Sequence, residues 1–225
     1  MTPQDHDYPW VFRRDEIDIL EDELEDLYEA FHRSEKRTSF ESIVLGEQLE
    51  TQERSDRDLS QRLGFDVLQP PPSTLLTSRE STEAPGETFE LWQQELAHIR
   101  IHPLYQEAKR WAVRVKPVAK HGYEQGGGYA GECFRVYANV NLVPLKIFTA
   151  LCEELREDVV GWEIALEEYR LALTYVERIL DSLSLMSLSV EMSDWVQTSK
   201  MEAVQLAEAI VSARSHLSDR KQNFV

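Results

Sequence analysis

Residues 155–183 read LREDVVGWEIALEEYRLALTYVERILDSL, and apolar side chains recur along them in alternating steps of four and three. The series is Leu155, Val159, Trp162, Leu166, Tyr169, Leu173, Val176, Leu180 and Leu183. Such steps keep side chains on one face of an α-helix. Sustained over about four heptads, they predict a long helix with a coiled-coil-like seam. Phe148 and Cys152 carry the pattern back toward Val143 and Pro144, where proline suits the first turn of a helix. Gly161 is the one weak position, costing about 1 kcal/mol against alanine.

The same spacing returns at Met192, Trp195, Ser199, Ala203, Leu206, Ile210, Ala213 and Leu217. A serine-rich stretch over 181–193 separates the two repeats and predicts a turn near residue 186. The two helices then run antiparallel, with Tyr169 opposite Ala203 and Leu173 opposite Ser199. Large side chains meet small ones, as close packing requires. The fold class expected is all-α: a helical bundle built on a long antiparallel hairpin, about 144–217. The pair is either complete in itself or leaves Trp162, Tyr169 and Trp195 for another surface to cover. A homodimer through 148–217 is one way to cover them.

Ahead of the hairpin, residues 1–63 read as an acidic helical arm. Leu20, Leu24, Leu27 and Phe31 share one helical face, and the other faces are dense with Asp and Glu. Phe40, Ile43, Val44, Leu49, Leu59 and Leu63 predict a second or continued helix ending at Gly64. Residues 64–87 are rich in Pro, Ser, Thr and Glu and read as a flexible linker. The helical body is then 88–225.

The body opens with an expected helix over 88–101. Pro103 follows, biasing His102 away from helical geometry. Leu104, Ala108, Trp111, Val115 and Val118 keep helical spacing, and Pro117 should kink or end that helix. Between 132 and 142 the pattern changes. Phe134, Val136, Ala138, Val140 and Leu142 alternate with polar residues, as a strand would. The flanking helical patterns favour helix or irregular structure. A small β-hairpin over 111–142, across the glycine loop 126–131, is the alternative.

Charge is unevenly spread. The net is −17, from 24 Lys/Arg and 41 Asp/Glu. Residues 1–88 hold 22 acids and 9 bases, a net of −13, leaving −4 for the rest. A field of this sign repels nucleic acid and anionic lipid. The one basic stretch is 96–121, where Arg100, Lys109, Arg110, Arg114, Lys116 and Lys120 face a single acid, Glu107. No apolar run has the length of a signal peptide or a membrane span. The two cysteines, Cys133 and Cys152, form no disulfide framework or metal-ligand spacing. A reducing, cytoplasmic setting is expected.

Three patterns could carry chemistry. Glu29–His32 and Glu95–His98 are Glu-x-x-His pairs, and residues three apart on a helix can reach one metal. Carboxylate-bridged di-iron bundles use two such pairs. However, Glu29 and His32 point away from the apolar stripe of their own helix. The cluster Glu153, Glu154, Glu157 and Asp158 resembles the acid cluster of all-helical magnesium pyrophosphohydrolases. Its downstream acids, Glu177 and Asp181, would lie about 30 Å away on one unbroken helix. The glycine loop lacks the Gly-Lys-Ser/Thr ending of a phosphate loop. No cofactor is called for.

The function expected is therefore non-catalytic: a helical protein–protein interaction protein, regulatory or an assembly factor. Its acidic arm docks on a basic surface, with Arg110, Arg114, Lys116 and Lys120 as the basic candidates: the segment 96–121 pairs with the acidic arm 15–58, in the same chain or in a partner. The partner is a protein or a second copy. The alternative is a carboxylate/histidine metal-dependent bundle enzyme using Glu95 and His98, with Glu29 and His32.

Overall fold

The computed structural model describes residues 39–64, 96–187 and 193–224. Its helices are α1 (Ser39–Arg62), α2 (Pro103–Gln125), α3 (Ala130–Val140), α4 (Leu142–Glu154), α5 (Val159–Met186) and α6 (Ser193–Phe224). A helical turn over 96–101 leads into α2 through His102. Among the described residues there is no strand, and the fold is all-α. The helix expected over 15–31 lies outside the described residues, as does all of the 64–87 linker except Gly64.

Helix α5 lies at the centre and packs against α1, α3, α4 and α6. This explains why its apolar content exceeds the seam read from the sequence. Trp162, Tyr169, Val176 and Leu183 are buried as a seam would be, but so are Ile164, Ala165, Leu171, Ala172, Tyr175 and Ile179. A helix enclosed by four neighbours is apolar on more than one face. The start of α5 meets the end of α6. Trp162 stands edge-on to Phe224 with ring centroids 5.0 Å apart, and Glu163 is paired with Lys221.

One expectation is corrected. The repeat beginning at Leu155 does not lie on one helix from Val143 onward. The chain turns at 155–158 between α4 and α5, and Leu155 and Val159 are exposed. Asp158 caps α5, its side chain accepting from the Gly161 N–H at 2.5 Å. Glu157 takes a positive φ of 51° in the turn. The spacing of four is kept across the break, so apolar periodicity alone cannot reveal it.

The alternative β-hairpin over 111–142 is absent, and the favoured helical reading of that segment holds. Helix α2 runs through Pro117, and α3 is helical over the segment that alternates. In α3, Cys133, Phe134, Val136, Tyr137, Ala138, Asn139 and Val140 are all buried. It packs against α1, α2, α4 and α5. A short helix surrounded in this way carries apolar residues at every spacing, period two included.

Candidate functional site: a polar seam and a basic face

Helix α1 is attached to the body by both apolar and polar contacts. Val44, Leu45 and Leu59 are its buried apolar residues, Phe40 and Leu63 pack beside them, and a series of polar contacts runs along the rest of the helix. Arg178 of α5 donates to Gln48 Oε1 at 3.1 Å, to the Glu47 carbonyl at 3.1 Å and to the Thr51 hydroxyl. Gln48 Nε2 donates to Asn139 Oδ1 at 2.6 Å, and Arg135 pairs with Glu47 at 3.1 Å. One turn further along α1, the Ser55 hydroxyl donates to Glu167 Oε1 at 2.7 Å. Arg62 then spans Glu163 at 3.0 Å and Glu167 at 2.8 Å.

The electrostatics follow from these contacts. Burial pushes the Glu167 carboxyl up, but the hydrogen bonds from Arg170 and Ser55 and the charges of Arg170 and Arg62 outweigh it. The group is held below the usual carboxylate range. Burial pulls the Arg178 guanidinium down, while Glu47 supports its charge. Behind this seam, Lys146 and Glu168 form a wholly buried pair between α4 and α5. The Tyr169 hydroxyl donates to Glu154 at 2.6 Å. Burial and the Glu154 charge raise its pKa well above the ordinary phenol value. These carboxylates are engaged by cations and hydroxyls, which suits holding elements together rather than proton transfer.

The second feature is on the outside. Arg100, Lys109, Arg110, Arg114 and Lys120 are exposed along α2 and the turn before it. Arg114 pairs with Glu202 of α6 at 2.8 Å, and Lys120 lies 3.8 Å from Glu124. Lys116 Nζ sits over the Tyr137 ring, 5.2 Å from its centroid. Glu107, Arg110, Arg114, Glu202 and Gln205 line a cleft between α2 and α6, floored by Trp111. The Trp111 indole donates to the Ser199 carbonyl at 3.4 Å, fixing α2 to α6.

The aromatic candidates behave differently from the basic ones. Tyr169 is fully enclosed, and Trp162 is covered by Phe224 and by the Arg220 guanidinium 5.8 Å from its ring. Neither presents its ring to solvent: the end of α6 closes over Trp162, and Tyr169 is enclosed with its hydroxyl on Glu154 of α4. Trp195 is half-buried. Of the metal candidates, Glu29, His32 and Glu95 lie outside the described residues, and His98 is exposed. Among the described residues no group of three or more His, Cys, Asp or Glu could hold a metal ion. Glu153 and Asp158 both pair with Arg156, at 3.2 and 3.4 Å.

Sequence reasoning missed the buried ionic groups. Lys146 stands alone in the apolar run LVPLKIFTAL, whereas Glu167 and Glu168 share the central helix with Glu163, Arg170, Glu177, Arg178 and Asp181. The lone Lys146 was therefore the available signal. No family model matches the chain, and no curated protein or solved structure matches it. No described helix is long and apolar enough to cross a membrane.

Proposed function

We propose that this chain is a non-catalytic helical interaction protein, regulatory or assembling in role, in which an acidic arm and a basic face are complementary docking elements. The observation that carries this reading is the outward face of α2. Lys109 and Arg110 are exposed there, and Arg100 in the turn before it, without an ion pair to any described residue, in a chain of net charge −17. A local patch of opposite sign attracts acidic segments while the rest of the field repels other polyanions. The partner class that fits is a protein segment rich in Asp and Glu, from another protein or from a second copy. The α5–α6 hairpin is the platform on which α2 is fixed through Trp111.

The test is fluorescence anisotropy of a labelled peptide with the sequence of residues 15–31, titrated with the full chain. Binding should weaken with added salt. The triple variant Arg110→Glu, Arg114→Glu, Lys120→Glu should bind about tenfold more weakly or worse. Affinity indifferent to charge reversal would sink the reading.

A further inference from the structure

We propose that the outward face of α2 is occupied in cis by the chain's own residues 15–31. This rests on the reading of that face given above. Charge is the first argument. Between Asp15 and Glu29 there are nine acids, and 15–31 contains no Lys or Arg. The face opposite carries Lys109, Arg110, Arg114 and Lys120, all exposed.

Pattern is the second argument. At about 100° per residue, Val113 and Pro117 lie in the middle of the outward arc of α2. Lys109 and Lys120 then fall on one side of them, and Arg110 and Arg114 on the other. Val113 is 65% exposed. Residues 15–31 carry the inverse arrangement, with the stripe of Leu20, Leu24, Leu27 and Phe31 set among acids. An apolar centre would meet an apolar stripe, and cations would meet carboxylates on either side.

The third argument is where the chain enters the described structure. The Phe40 ring packs on Gly131, where an added Cβ would come within 3.0 Å of it. Glu41 accepts from the Tyr123 hydroxyl in the last turn of α2. Residues 15–31 are thus tethered beside the C-terminal end of the basic face. From Tyr123 back to Lys109 the helix rises about 21 Å. The connecting residues 32–38 can span up to about 25 Å, and seventeen residues of helix are about 25 Å long. The segment can reach the whole face without leaving its own chain.

Carbodiimide cross-linking of the full chain, at low ionic strength and with an equal mixture of ¹⁴N and ¹⁵N protein, tests this directly. Acids within 15–29 should be joined to Lys109, Lys116 or Lys120 in isotopically pure pairs, and the links should fade as salt is added. Mixed-isotope links would assign the face to a second copy and overturn the cis arrangement. Links only to other surfaces, or none, would overturn it too. In parallel, the full-chain variant Glu21→Gln, Asp22→Asn, Glu25→Gln, Asp26→Asn should bind the labelled 15–31 peptide at least about tenfold more tightly than the unmodified chain. If it binds equally tightly, the cis assignment fails and the basic docking face stands. If neither chain binds the peptide, the docking face itself fails.

Discussion

Lys146 Nζ lies 3.3 Å from Glu168 Oε2, and both side chains are shut off from solvent between α4 and α5. Removing either partner takes a buried counter-ion away from a charge that stays shut off from solvent. Lys146→Met should therefore cost about 3–5 kcal/mol of unfolding free energy. Replacing both by apolar residues of similar volume, Lys146→Met with Glu168→Leu, should recover most of that loss, because neither charge then has to be desolvated. Urea denaturation of the two variants decides the matter. A double variant no more stable than the single would mean that the pair is a net contributor rather than a mutual compensation.

Gly161 gives the opposite of the helix-propensity expectation. Glycine inside a helix costs about 1 kcal/mol relative to alanine, so Gly161→Ala should stabilise on that ground alone. A Cβ at Gly161, however, would stand 2.6 Å from the Glu153 carbonyl oxygen and 3.0 Å from Arg156 Cβ. The turn between α4 and α5 closes against that bare backbone. Gly161→Ala should thus lower stability by about 1–3 kcal/mol, as overpacking does. A rise in the thermal midpoint would show that the turn relaxes more freely than its geometry implies.

The helical character of α5 and α6 was legible because their apolar residues recur every three or four positions, and that needs no tertiary information. The basic face of α2 was legible for a similar reason, since a cluster of cations within one helical segment is local. The break at 155–158 was hidden, because Leu155 and Val159 stay in step through the turn. The strand-like alternation near Val136 arose from burial of α3 on several sides. Tyr169 was read against one partner helix, whereas α5 packs against four; Trp162 is covered by Phe224 and Arg220 at the far end of that same partner. The polar seam was beyond reach for another reason: Arg178 and Gln48 are 130 positions apart, and no local pattern pairs them.

The two thiols should differ in reactivity. Cys133 is buried in α3 with its Sγ 3.6 Å from Met186 Sδ. Burial, with a smaller contribution from the Glu132 charge, pushes the thiol up from 9.0 to about 11. The thiolate is the reactive form, so at pH 8 Cys133 is almost wholly unreactive. Native protein titrated with an aromatic disulfide reagent should release at most one equivalent of thiolate on the fast timescale, from the half-buried Cys152. Two equivalents should appear after denaturation. Two fast equivalents in the native state would show that α3 opens readily.

Acid should loosen α1 before it unfolds the body. The Glu167 carboxyl is held below its ordinary value of 4.5 in the folded chain: burial opposes this, and Arg170, Ser55 and Arg62 outweigh it. A carboxyl depressed by folding contributes stability that is fully present above its unfolded value. That contribution is lost as pH falls through the lower, folded value, because the unfolded state then binds the proton more readily. The sensitive window therefore lies below about pH 4.5. Wild-type protein should lose more stability between pH 7 and pH 3 than Glu167→Gln, whose neutral amide has no proton to gain. Hydrogen exchange should place the first loss of protection in residues 47–62, where Ser55 and Arg62 hold Glu167. Equal acid sensitivity in the two proteins would mean that other carboxylates, not Glu167, govern the release of α1.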